Sequence, residues 1–209
     1  MVTRQSQTKH WASQKNPNIS EAYFTSPPAT KRSKFFVDYL KNYNFNSIFE
    51  VGMMSGRNLY YIKDAFPDTQ VAGLEVNPRA VKFAKEKLNV SDKDLLCMDL
   101  HDMDNIKESY DIVFSSGVLI HIIPDDLKSV CEKMLRRANK YVMHIEECGN
   151  EEVVKGPKYM NPIRKESNQV QWAPDLISIY KQLGYEPKVI ELPLDVRTNG
   201  ASDLIIVKV

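Results

Sequence analysis

Three acidic residues stand where apolar runs of this 209-residue chain end: Glu50 in FEVGMMSGRN, Glu75 in GLEVNP and Asp99 in LCMDLHD. Glu50 is followed by two glycines, Gly52 and Gly56, and then by a stretch of helical character. Glycine loops between a strand and a helix ordinarily cradle phosphates. The dinucleotide pattern is G-x-G-x-x-G, but here Met53, Met54 and Ser55 separate the glycines. A phosphate-binding P-loop would continue Gly-Lys-Ser/Thr, whereas Gly56 is followed by Arg57-Asn58. Glu50 would also repel a pyrophosphate, since two unit charges ~4 Å apart interact by about 4 kcal/mol at an effective dielectric near 20.

A cationic ligand reverses that sign. S-adenosylmethionine carries a sulfonium and an ammonium and no phosphate, so Glu50 would attract it, directly or through water. Glycines let the chain turn close beside a ligand. A helix opening at Gly56 would offer N–H groups to the methionyl carboxylate. Glu75 can accept both ribose hydroxyls, a position that dehydrogenases also use. Asp99 can accept the adenine amino hydrogen, with the Leu100 N–H serving a ring nitrogen and Met98 or Leu100 flanking the ring. Asp102 and Asp104 are rivals for that position.

His121, just past the fourth apolar run, is the candidate catalytic base, because an unperturbed pKa of about 6.5 suits proton uptake near neutrality. The competing reading is a histidine packed under 119–123. His144 shares a strand face with Glu146 and reads as a structural pair. Glu146 and Glu147 are further strand-end acids, and Ser115 to Gly117 end the fourth strand. The cysteines Cys97, Cys131 and Cys148 have no metal-ligand spacing, and no His/Asp/Glu set has it either, so no metal is expected.

These residues need a scaffold that brings strand ends together. Thr30 can cap a helix reaching about Asn42. Strands are expected at 47–51, 70–76, 94–100, 110–116, 140–146, 188–192 and 203–209. Helices are expected at 56–66, from Pro78 to Leu88 with Asn77 as cap, from Asp125 or Asp126 onward, and at 174–183. The alternation implies an α/β fold. It is a doubly wound, Rossmann-like seven-stranded sheet, mostly parallel with an antiparallel last strand, and with helices on both faces. Residues 1–29 read as an N-terminal arm or lid carrying Trp11, Tyr23 and Phe24. Residues 30–209 read as one domain with a substrate-loop insertion around 148–172. Lys155, Lys158, Arg164 and Trp172 in that loop would favour an anionic acceptor, with a solvated loop as the alternative.

Net charge is +1 and 43% of residues are hydrophobic. That leaves room for a core and no global field to attract nucleic acid or membrane. The pairs Lys31-Arg32 and Arg136-Arg137 read as solvated helix faces. No apolar run approaches the ~20 residues that span a bilayer. With an odd cysteine count and a polar N-terminus, a cytoplasmic protein is expected.

The stretches IFEVGMMSGRN, VAGLEVNPRAVKFAKEKL, LLCMDLHD and YDIVFSSGVLIHIIPDDL resemble class I S-adenosylmethionine-dependent methyltransferases. The resemblance implies S-adenosylmethionine as cofactor, held by Glu50, Gly52, Met53, Gly56, Asn58, Glu75, Val76, Asp99, Leu100 and Ser115. The family often has G-x-G-x-G, and Met54 replaces the middle glycine here. GVLIHIIPDDL is similar to a stretch in small methylases associated with pseudaminic acid biosynthesis. A small-molecule acceptor methylated on oxygen or nitrogen, such as a surface-glycan precursor, is therefore expected. The alternatives are a macromolecule (RNA or protein) methyltransferase, a non-catalytic cofactor-binding partner, and a nucleotide-dependent oxidoreductase. Against RNA, the chain has no basic stripe with interleaved aromatics.

Overall fold

Ser47–Val51 (β1) is buried on both sides, as a central parallel strand requires. The structure, a computed structural model, describes residues 3–14, 19–91, 93–147, 171–197 and 201–209. The strands β1, Gln70–Glu75 (β2), Leu95–Cys97 (β3), Tyr110–Ser116 (β4), Ala138–Glu146 (β5), Lys188–Glu191 (β6) and Asp203–Lys208 (β7) form one sheet. Its order is β3-β2-β1-β4-β5-β7-β6. Pairs are parallel from β3 to β5, while β7 runs antiparallel to both β5 and β6. The strand order reverses between β1 and β4, where ligands of such sheets bind beyond the carboxyl ends.

Alternation along the strands divides the core in two. Ile48, Val71, Ile112, Phe114 and Met143 face the helices Pro27–Leu40 (α3), Arg57–Ala65 (α4) and Pro78–Leu88 (α5). Phe49, Val51, Leu74, Val113 and Val142 face Pro124–Arg137 (α6) and Leu176–Gln182 (α7). The doubly wound sheet with helices on both faces is therefore present as expected from the sequence.

Several boundaries differ from expectation. The helix expected from Thr30 begins at Pro27, with Ser26 at the cap position and proline in the first turn. The helix expected to open at Asp125 or Asp126 begins at Pro124 after Ile123, so proline rather than an acidic cap starts it. Asn77 does cap α5, accepting from Arg79 N at 3.0 Å and Ala80 N at 3.4 Å. β3 is shorter than expected because Asp99 accepts from His101 N at 3.0 Å and starts the 3-10 turn Leu100–Asn105. The arm is helical: Arg4–Ala12 (α1), closed by a Thr3–Ser6 capping box, and Ile19–Thr25 (α2). Phe24 packs edge-on against Tyr60 and Phe83, 5.3 and 5.7 Å between centroids.

Gly56 starts α4 in the left-handed region, φ 75°, and a Cβ there would lie 2.9 Å from Leu88 Cδ1 and 3.0 Å from Ala84 Cβ. Gly56→Ala is expected to lower unfolding free energy by at least about 1–2 kcal/mol from backbone conformation alone. Urea unfolding measures this, and an unchanged midpoint would contradict the close α4–α5 approach.

Candidate active site

The carboxyl ends of β1, β2 and β4, together with α1, enclose a cavity of about 340 Å³. The loop after β1 is held by its own backbone. Gly52 N and Met53 N both donate to Leu74 O, at 2.9 and 3.0 Å, and Gly56 N donates to Met53 O at 2.9 Å. Met54, at φ 46°, donates its N–H to Glu75 Oε2 at 3.0 Å. A Cβ on Gly52 would stand 2.6 Å from Val118 Cγ2, so the loops after β1 and β4 touch at a position that admits no side chain.

Glu50 lies at the cavity wall and is 1% exposed. Its Oε1 accepts from Asn58 Nδ2 at 2.6 Å, and Asn58 Oδ1 is 2.6 Å from Ser33 Oγ on α3. Arg57 Nε donates to Ser33 Oγ at 3.0 Å, and its guanidinium also reaches Tyr23 O. Glu50 Oε2 has no hydrogen-bond partner among the described residues. Burial raises the Glu50 carboxyl to about 8, against the opposing pull of Asn58, Arg57 and Arg32. Glu75 is likewise raised by burial, while its Oε1 accepts from Asn77 N at 2.9 Å and Oε2 from Met54 N. Both of its oxygens thus hold the loop in place while facing the cavity. Asp99 Oδ2 accepts from Thr8 Oγ1 of α1 at 2.6 Å.

Of the residues singled out in the sequence, Glu50, Gly52, Met53, Asn58, Glu75, Val76, Asp99, Leu100 and His121 line the cavity. Gly56 and Ser115 do not. Gly56 packs against α5, and Ser115 points into the core on the α7 side, so its neighbour Ser116 faces the cavity instead. Ser115 Oγ donates to Glu146 Oε1 at 2.8 Å and stands 2.9 Å from His144 Nδ1, whose Nε2 is 2.6 Å from Tyr180 Oη. Glu146 Oε1 also accepts from Val118 N at 3.0 Å, which ties this buried network to the loop after β4. The expected His144–Glu146 pair is therefore bridged by Ser115.

His121 does not keep an ordinary imidazole pKa. Burial, helped by His10, lowers it to about 4, so it is neutral at pH 7. Its ring meets Trp11 edge-on, 4.7 Å between centroids. Arg32 also departs from expectation. It is 7% exposed and lines the cavity rather than a solvated face, and its charge acts on Glu50 and Glu146. Lys31, beside it, is exposed. Arg4, Gln7, Thr8 and Trp11 of the arm line the cavity too, and no signal in the sequence paired them with particular strand ends. Most of the 148–172 insertion, including Lys155, Lys158, Tyr159 and Arg164, lies outside the described residues. Gln171 lines the cavity, and Trp172 N donates to Ile120 O at 2.8 Å. Among the described residues no group of three or more His, Cys, Asp or Glu could hold a metal ion. None of the described helices is long and apolar enough to cross a membrane.

Residues 48–140, from β1 into β5, match the family model described as a methyltransferase domain. The solved magnesium protoporphyrin IX methyltransferase of Synechocystis PCC 6803 with bound SAH superposes with a TM-score of 0.64 at 12% identity. That superposition covers 97% of this chain and 92% of that one. The chain shares the fold of that methyltransferase. An uncharacterised protein of Methanocaldococcus jannaschii is 25% identical over 194 residues, 85% of this chain and 50% of that protein. A malonyl-acyl-carrier protein O-methyltransferase of Acetivibrio thermocellus is 25% identical over 70 residues, 34% of this chain and 24% of that protein. The chain thus spans about half the length of the first curated relative and about a quarter of the second.

The Glu50 environment has a measurable signature. Above its ordinary value of 4.5 the unfolded carboxyl has lost its proton, whereas the folded one keeps it until about pH 8. The native state binds more protons in that interval, so stability falls as pH rises. His121 and His144, lowered to about 4 and about 3, act in the opposite sense below their ordinary 6.5, and Glu146, raised by burial to about 7, acts in the same sense as Glu50 up to that value, so Glu50 is best isolated between about pH 7 and 8. In that window the melting temperature of the ligand-free protein should fall, and Glu50→Gln should make the fall shallower. Identical slopes in calorimetry would contradict a buried, protonated Glu50.

Proposed function

We propose that the chain is an S-adenosylmethionine-dependent methyltransferase that acts on an oxygen or nitrogen of a small molecule. The observation that carries this is Glu50: a buried carboxyl group at the cavity wall with one oxygen lacking a partner. A cation placed there favours the ionised form and pulls the pKa back down. The loop beside it suits no pyrophosphate, since the N–H groups of Gly52, Met53, Met54 and Gly56 already donate within the protein. The methyltransferase domain match over 48–140 and the fold point the same way.

In this reading S-adenosylmethionine supplies an electrophilic methyl group on a sulfonium. Glu50, oriented by Asn58, holds the cationic methionyl end, and the 52–56 turn lies against it. Glu75 presents two backbone-braced oxygens to the ribose, and Asp99 with Leu100 meets the adenine between Met98 and Val76. The arm covers the cleft through Thr8 and Trp11, which keeps water from the reacting group. Neutral His121 can take up one proton at Nδ1, although its lowered pKa makes it a weak base. The likeness of residues 117–127 to methylases of surface-sugar biosynthesis makes glycan-precursor hydroxyls the first acceptors to try.

Calorimetry tests the reading. S-adenosylmethionine should bind with release of a proton at pH 7.5, seen as a heat that varies with the buffer's ionisation enthalpy, and NAD should not bind. Glu75→Ala should weaken binding by about 1.5–3 kcal/mol, the loss typical of a charged hydrogen bond. Tighter binding of NAD, or no heat with S-adenosylmethionine, would remove the proposal.

A further inference from the structure

The compartment beside His121 carries polar atoms that the cofactor reading leaves unused. Trp11 Nε1, His121 Nδ1 and Ser116 Oγ are shielded from solvent and have no hydrogen-bond partner among the described residues. All three residues line the same cavity. Trp11 comes from α1, His121 from the 3-10 turn Leu119–His121, and Ser116 from the end of β4. The Trp11 and His121 rings are in contact, 4.7 Å between centroids at 64°. An indole N–H can only donate, and a neutral imidazole donates from one nitrogen and accepts at the other. Leaving such groups buried and unmatched is costly, so a ligand that matches them recovers that cost.

Arg4, Arg32 and Arg57 line the cavity, and none of them is among the charges that act on His121. Arg4 acts on His101, beside Asp99. Arg32 and Arg57 act on Glu50, and Arg32 also on Glu146. No lysine lines the cavity among the described residues. Among the described residues, therefore, the Trp11–His121 wall offers a donor and an acceptor with no arginine or lysine acting on His121, the charge that does act on it being that of His10, and the apolar side chains of Ile120, Ile122 and Ile123 line the same cavity. An anionic group set there would be desolvated without a counter-charge.

We infer that Trp11 and His121 form the acceptor subsite, and that it takes an uncharged hydroxyl group. The Trp11 indole N–H donates to the hydroxyl oxygen, and the hydroxyl hydrogen is donated to His121 Nδ1. This rests on the methyltransferase reading and revises the anionic acceptor that the basic residues of 148–172 suggested. It also makes the arm a determinant of acceptor specificity rather than a cover alone.

The test is nuclear magnetic resonance on the full ¹⁵N-labelled chain saturated with S-adenosylhomocysteine. The chain has two tryptophans, and Trp11→Phe identifies the Trp11 indole signal. Phenol, uncharged at pH 7, and benzoate, an anion of similar size, are the probes. Phenol should shift the Trp11 indole N–H signal, and benzoate at the same concentration should leave it in place. Trp11→Phe should weaken phenol binding about tenfold, the effect of one lost hydrogen bond. Benzoate moving the signal at lower concentration than phenol overturns the inference, as does neither probe moving it while S-adenosylhomocysteine is bound. Calorimetry on the same sample separates the two levels: no S-adenosylhomocysteine binding removes the cofactor reading, and this inference with it.

Discussion

A carboxyl group buried to 1% exposure at the end of the first strand governs the site. Burial of a carboxylate is costly unless it is paired, and Glu50 is paired on one oxygen only. The surroundings are arranged around that half-satisfied state. Asn58 fixes the side chain, Ser33, itself held by Arg57, fixes Asn58, and Arg32 supplies a nearby charge. The residues of this chain of contacts come from β1, α3 and α4, so helix packing on one face of the sheet is coupled to the protonation of a group at the carboxyl end of a central strand.

The second constraint is backbone hydrogen bonding. The turn after β1 leans on β2, through Leu74 O and through Glu75, and Glu75 is itself pinned by Asn77 N. The turn is thus set by the neighbouring strand before any ligand arrives. On the opposite side the contact between Gly52 and Val118 sets the spacing to the loop after β4. That loop is anchored behind by Glu146, Ser115, His144 and Tyr180. Two buried polar systems, one on each side of β1 and β4, bracket a cavity whose floor is the sheet.

Much of this was legible in the chain. Strand-end acids beside a glycine turn carry their signal in local order and sign of charge, so Glu50, Asn58, Glu75 and Asp99 were found where the cavity lies. The sheet was legible because apolar runs and helical stretches alternate along the sequence. What escaped depended on long-range placement. Arg32 follows Lys31 and looks like a solvated pair, yet one residue of rotation along α3 separates a solvent face from a cavity face. Ser115 and Ser116 are adjacent, and strand alternation sends only the second to the cavity. The depressed pKa of His121 follows from burial, as the competing reading of a histidine packed under 119–123 expected.

Helix α1 touches the site through side chains, Thr8 against Asp99 and Trp11 against His121, while it contributes no strand to the sheet. Substitutions along its inner face can therefore reshape one wall without disturbing a single rung of the β ladder. Such an arrangement lets natural variation or laboratory recombination reshape the cavity by exchanging a short helix, while the sheet that carries its other walls stays as it is.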